Sequence, residues 1–212
     1  PIQYEIARGV DNNTLVWEQD KSPCRAPIKT AAKNLEQMGC RAIAAECGYF
    51  AYFQKDVAGH VDIPVFMSSL LQVPFIQQII GPKKTVGILC AQKRFLSEIH
   101  LENVGINLDS NYIIAGAQDE YSCPEFDNLW DPEKRPERPE IYYDKAEKDM
   151  IKAAIDFTKK NPNIGALMLE CTGMQPFARA IQREIDLPVF SWGTLLDYAY
   201  SVVVHRDYYG HV

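Results

Sequence analysis

The chain has no uninterrupted apolar run near the roughly 18 residues that a membrane-spanning helix needs. Its longest apolar stretches, such as 86–91 and 201–204, are the size of strands or single helical turns. No membrane partner is therefore expected. Positive charge is in deficit, with 22 Lys and Arg against 28 Asp and Glu and a net charge of −6, which excludes broad nucleic-acid binding. There is no C-x-x-C pair. The six cysteines, at 24, 40, 47, 90, 123 and 171, are dispersed and lack zinc-site spacing. A chain of 212 residues with no visible signal segment is also a poor disulfide scaffold, so reduced thiols and a cytoplasmic location are expected. Four histidines, His60, His100, His205 and His211, show no ligand spacing and read as surface or packing residues. Lys21 and Lys93 read as solvated charges.

What is present is an ordinary globular balance, 47% hydrophobic and 24% charged, enough for one large domain or two lobes of about 100 residues each. An internal repeat decides between them. Ala42-Ile43-Ala44-Ala45-Glu46-Cys47, continuing to Asp62-Ile63-Pro64-Val65-Phe66, recurs as Ala166-Leu167-Met168-Leu169-Glu170-Cys171, continuing to Asp186-Leu187-Pro188-Val189-Phe190. The offset is a constant 124 (171 − 47 and 190 − 66). Two similar halves are expected, each presenting a cysteine at the same structural place. Facing each other, they would hold two thiols on opposite sides of one cleft.

Along the chain, strand and helix signals alternate. Strands are expected at 14–18, 41–46 (buried on both faces), 63–67, 85–90, 112–115, 165–170 and 189–192. Helices are expected from Pro27 to Gly39 and at 50–57, 73–80, 94–103, 145–160, 176–185 and 194–205. Residues 118–144, carrying Pro124, Pro132, Pro136 and Pro139, lack periodicity and read as a long loop, either a functional lid or a plain surface excursion. Repeated βα units imply an α/β fold with parallel sheets. The expected architecture is two pseudo-symmetric flavodoxin-like lobes with the active site in the cleft between them. One lobe would comprise residues 1–80 with 194–212 and carry Cys47; the other would comprise 81–193 and carry Cys171.

Ligands of such sheets bind beyond the carboxyl ends of the strands. Cys47 and Cys171 both fall there, just before a helix, where backbone N–H groups favour a thiolate and can hold a substrate carboxylate. A lone buried cysteine is usually inert packing. Two at equivalent βα junctions, each followed by a glycine-containing turn (Cys47-Gly48 and Cys171-Thr172-Gly173), point to catalysis. Glu46 and Glu170 read as carboxylates that brace loops or assist proton exchange. Tyr49, Gln92, Ser68 and Trp192 sit at or just past strand ends, as supporting structure or as cleft lining.

These residues carry a resemblance. Leu169-Glu170-Cys171-Thr172-Gly173-Met174 resembles the second cysteine motif of the aspartate/glutamate/hydantoin racemase superfamily. Cys171-Thr172 is similar to the Gly-Cys-Thr-His of glutamate racemases, and Cys171-x-Gly173-Met174 to the Gly-Cys-Ala-Gly-Met of hydantoin racemases. The run Val86-Gly87-Ile88-Leu89, with Ser97 beyond it, resembles the family's fifth strand and helix. Pro23 matches the start of its substrate-lining Pro-Tyr-Gly turn, which Cys24 and Arg25 do not continue. Glu46-Cys47-Gly48-Tyr49 departs from the Ala-Cys-Asn-Thr of amino-acid racemases, and Gly173 replaces a histidine, so glutamate is a poor fit as substrate. The chain opens on Pro1, and the family's first strand, with its Asp-Ser pair, is expected upstream.

The resemblance implies a cofactor-independent racemase or epimerase, an isomerase in which Cys47 and Cys171 exchange protons with a carbon next to a carboxylate or carbonyl. The substrate would be a small carboxylate, amino-acid or hydantoin-like, bound by Gly48, Tyr49, Thr172, Gly173, Pro23 and Gln92. No metal or other cofactor is implied, and a homodimer or larger homo-oligomer is. Alternatives are a maleate-isomerase-like member, whose relatives keep both cysteines, and a decarboxylase-like member, whose relatives keep only the second-half cysteine, so that the retention of Cys47 argues against that branch. Others are a non-catalytic small-molecule binding protein and a disulfide switch.

Overall fold

The computed structural model describes residues 1–131, 133–207 and 210. Pro132 and His211 lie outside the described residues, as do 208, 209 and 212 of the expected first lobe.

Among the described residues six strands form two parallel sheets. The small sheet pairs β1 (Ile43–Ala44) with β2 (Val65–Phe66). The larger has the order β4-β3-β5-β6, from β3 (Thr85–Cys90), β4 (Tyr112–Gly116), β5 (Ile164–Leu169) and β6 (Val189–Phe190). The repeat survives to the level of register. Ile43 pairs with Val65 and Ala44 with Phe66; Leu167 pairs with Val189 and Met168 with Phe190, all 124 residues on (167 − 43 and 189 − 65). The entry bonds match too, with Ile43 N–H donating to Pro64 O and Leu167 N–H to Pro188 O, each at 2.9 Å.

The central strands are covered on both faces, as an alternating apolar strand demands. Val86, Ile88, Ala166 and Met168 join a cluster with α3 (Val73–Ile80) and α4 (Glu98–Asn103). Leu89, Leu167 and Leu169 face the other way, toward α7 (Tyr143–Lys160) and α8 (Ala178–Ile185). A separate cluster gathers Leu15, Val16, Ile28, Ile43, Phe53, Val57 and Val65 around α1 (Ser22–Gln37) and α2 (Gln54–Ala58). The last helix, α9, runs Trp192–Val203.

Four sequence expectations are corrected. Residues 14–18 are not a strand. Asn13–Trp17 is a π-helical turn, opened by a reciprocal pair in which Thr14 N–H donates to Asp11 Oδ1 and Asp11 N–H to Thr14 Oγ1, both at 3.0 Å. The pair satisfies the orphan donors of a helical start, so local capping overrides strand propensity. The strand expected at 41–46 shrinks to Ile43–Ala44 and is buried on one face, because its sheet has only one partner strand. The 118–144 segment carries structure, namely α5 (Ala117–Glu120), α6 (Pro124–Trp130) and the first turn of α7. Lys21 is not solvated; it is 5% exposed, and its ammonium donates to Glu18 O.

Candidate active site

Each cysteine is delivered by the same device. A strand ends, the cysteine follows in extended conformation, and a 3-10 turn begins at once. The turns are Gly48–Phe53 after β1 and Thr172–Phe177 after β5, with α2 and α8 continuing them. The first turn bonds also correspond, with Phe50 N–H donating to Cys47 O and Met174 N–H to Cys171 O. Both thiols are half-buried and free, and they lie close enough for Cys47 to act electrostatically on Cys171.

The two halves are stitched at these loops. Thr172 Oγ1 donates to Glu46 O at 3.1 Å, Ser69 Oγ to Glu170 O at 2.8 Å, and Trp192 Nε1 to Ala45 O at 2.9 Å. Each bond ends on a carbonyl one or two residues before a cysteine, so the seam sets the position of both sulfurs.

Glu170 acts on both thiols. It is fully buried, and among the described residues neither carboxylate oxygen has a well-formed hydrogen bond. Burial lifts its pKa to about 8, eased only by the nearby Ala91 N–H. At neutral pH it is mostly the neutral acid. Gly48 makes room for it. A Cβ there would strike the Glu170 carboxylate and lie 2.6 Å from its main-chain oxygen. Glu46, its counterpart in the repeat, is exposed.

The thiolates expected from helix-terminal donors are not the resting state. Tyr49 N–H does favour the Cys47 anion, and Gly173 and Met174 N–H favour that of Cys171. Burial and the adjacent Glu170 outweigh them. Cys47 is pushed up to about 12 and Cys171 well above its ordinary value. Every charge acting on Cys47, Tyr49 and Cys171 is itself an anion or a potential one, with no cation among them.

The remaining expected residues fall into two groups. Gly173 sits beside the site, where a Cβ would lie 3.6 Å from Cys171 Sγ. Tyr49 and Gln92 are buried and bonded to each other, Tyr49 Oη donating to Gln92 O at 2.7 Å and accepting from Gln92 N–H at 3.1 Å, while Trp17 Nε1 donates to Gln92 Oε1. His100 packs edge-on against Tyr49, its pKa pulled down to about 4 by burial and by Lys21. Ser68 caps the neighbouring turn by accepting from Leu70 N–H. Pro23 lies exposed in the first turn of α1. Among the described residues no group of three or more His, Cys, Asp or Glu is assembled to hold a metal, and no helix is long and apolar enough to cross a membrane.

One residue at the site went unread in the sequence. Trp130, at the end of α6, places its indole Nε1 3.6 Å from the Gly173 Cβ position, the same distance at which that position meets Cys171 Sγ. The signal was there. Cys123-Pro124-Glu125 puts proline and an acidic residue in a helical first turn, and Phe126 and Trp130 follow at i, i+4 spacing.

No family model matches the chain. Among curated proteins it is 26% identical over 195 residues to a dimethylsulfoniopropionate lyase of Durusdinium sp. clade D, covering 90% of this chain and 62% of that one. It is 26% identical over 194 residues to dimethylsulfoniopropionate lyase 5 of Emiliania huxleyi, covering 86% of this chain and 38% of that one. The chain therefore spans less than two thirds of the length of these relatives. Among solved structures it superposes on arylmalonate decarboxylase with a TM-score of 0.58 at 9% identity, covering 96% and 90% of the two chains. It superposes on the aspartate racemase of Picrophilus torridus with a TM-score of 0.54 at 16% identity, covering 91% and 74%.

The relatives and fold neighbours alike are enzymes. The expectation of a racemase or epimerase is corrected, because the curated relatives that match most of the chain are lyases. The decarboxylase-like alternative, which also breaks a bond without hydrolysis, agrees with them better. The chain has the fold of the aspartate/glutamate/hydantoin racemase superfamily.

Proposed function

We propose that the chain is a lyase that eliminates a sulfonium leaving group from the β-carbon of a short carboxylate, with dimethylsulfoniopropionate as the substrate. The observation that carries this is the likeness to dimethylsulfoniopropionate lyases over 90% of the chain. The chemistry of the site agrees. Its ionisable groups, Cys47, Cys171, Tyr49 and Glu170, all become anions on losing a proton, and no cation acts on them. A permanent sulfonium cation supplies the missing charge and draws a thiol toward its thiolate.

Cys171 is the base in this reading: two backbone N–H groups support its anion against one for Cys47, and the substrate cation has to offset the burial, Glu170 and Cys47 that together raise the Cys171 thiol well above its ordinary value. The thiolate takes the proton from the carbon next to the carboxylate. The C–H electron pair becomes the new C=C bond, and the carbon–sulfur bond breaks with its pair going to sulfur. Acrylate and neutral dimethyl sulfide leave, and the Cys171 thiol returns its proton to solvent. Because the sulfide departs neutral, no acid is needed at the leaving group, and Cys47 stays protonated beside the base. Charge that builds up on the substrate carboxylate is met by oriented N–H donors after the two cysteines. The other expected contacts, Gly48, Tyr49, Thr172, Gly173 and Gln92, serve as walls and braces of this pocket; Pro23 has no part in it.

The test is gas chromatography of the headspace over the purified chain with dimethylsulfoniopropionate. Dimethyl sulfide release that vanishes in Cys171→Ser supports the reading; no release above buffer from the unmodified protein overturns it.

A further inference from the structure

Trp130 is the only tryptophan whose indole N–H lacks a hydrogen-bond partner among the described residues. Trp17 donates to Gln92 and Trp192 to Ala45. The Trp130 Nε1 is nonetheless shielded from solvent. A buried indole N–H almost always finds an acceptor, because leaving it unmade costs more than a surface bond gains. What lies in front of it is the side-chain-free face of Gly173 and, beside that, Cys171 Sγ.

The helix that carries Trp130 is firmly held. Phe126 is buried in the core against Phe177, and Glu125 Oε2 accepts from Tyr142 N–H at 2.9 Å. Beyond Trp130 the chain is tied to the β3–α4 connection, where Arg94 reaches Asp119 at 3.6 Å and Asp131 at 3.9 Å. The indole is therefore positioned in advance rather than left to find its place. The first cysteine turn reads Cys47-Gly48-Tyr49, with no side-chain amide or aliphatic hydroxyl in the two positions after the cysteine.

We propose that Trp130 is the side-chain donor for the substrate carboxylate, its unpartnered Nε1–H standing on the side of the site that holds Gly173 and Cys171 Sγ. Placed there, the carboxylate holds its neighbouring carbon toward Cys171 Sγ, with the cationic end directed to the buried Glu170 and the thiol pair. This rests on the elimination reading for the identity of the substrate, but the carboxylate contact is testable without turnover.

The probes are acrylate, a carboxylate with no cation, and trimethylsulfonium, a cation with no carboxylate, each titrated by NMR into the unmodified chain, Trp130→Phe and Trp130→Leu. Trp130→Phe keeps an aromatic ring and removes only the donor. The expected result is acrylate binding weakened about tenfold or more in both variants, the size of a lost hydrogen bond to a charged group, with trimethylsulfonium binding in Trp130→Phe unchanged. On dimethylsulfoniopropionate, Trp130→Phe raises KM more than it lowers kcat. Acrylate binding equal in Trp130→Phe and the unmodified chain, or no acrylate binding at all, overturns the proposal. So does an equal loss for both probes, which would mean that Trp130 only packs. Donor-dependent acrylate binding with no dimethyl sulfide release would leave this inference standing and remove the lyase reading instead.

Discussion

The two cysteine loops share sequence, turn type and register, yet their glutamates live in opposite worlds. Glu46 is exposed at the end of a two-residue strand in a two-stranded sheet, whereas Glu170 is sealed at the end of a six-residue strand in the middle of a four-stranded one. Duplication has preserved where the sulfurs stand, and the size of the surrounding sheet has decided what each neighbouring carboxyl can do. A symmetrical pair of motifs therefore does not imply symmetrical chemistry. That matches an elimination, which needs one base, better than a racemisation, which needs two.

The sharpest way to break this comparison is to remove each sulfur in turn. Cys171→Ser is expected to lower kcat for dimethyl sulfide release by roughly 10²–10⁴, the range of a lost general base. Cys47→Ser should lower it by no more than about tenfold; equal losses in the two variants would restore a two-base mechanism. Adding a methyl to each turn comes next. Gly48→Ala drives a Cβ into Glu170 and should cost about 1–3 kcal/mol by chemical denaturation. Gly173→Ala meets only ordinary contacts at 3.6 Å and should leave stability nearly unchanged while hindering substrate.

The glutamates separate by pH. Glu170, raised to about 8, binds a proton in the folded chain that the unfolded chain has already released above about 4.5. Its contribution to stability is thus full below the unfolded value and is lost as pH rises through about 8, with a limiting slope of about 1.4 kcal/mol per pH unit. Glu170→Gln should flatten that decline between about pH 4.5 and 8 in a series of urea melts, and Glu46→Gln should not. The smallest effect is at the seam. Thr172→Val removes one half-exposed hydrogen bond to Glu46 O and should cost about 1 kcal/mol or less by the same melts.

The fold was legible because its signals are redundant. The repeat, the buried apolar runs at 85–90 and 164–169, and glycines at positive φ such as Gly39 and Gly81 all specify βα units. The position of both cysteines was legible for the same reason. Their protonation was not, since it depends first on their own burial and then on Glu170, which is enclosed by residues 48 and 69, far away in sequence. The insertion misled because its prolines resemble loop punctuation, although Pro124 stands where a helix tolerates proline best. The racemase expectation failed at a different level. The resemblance of the motif implied proton removal next to a carboxylate, and whether a proton returns or a leaving group departs depends on the substrate, which the motif does not encode.

The seam hydrogen bonds have a mechanical corollary. Thr172, Ser69 and Trp192 rivet the halves together at the carbonyls leading into both cysteines, so parting the lobes like a book would break all three rivets at once. The spacing of the two sulfurs is thus held by several bonds at once rather than by any single one.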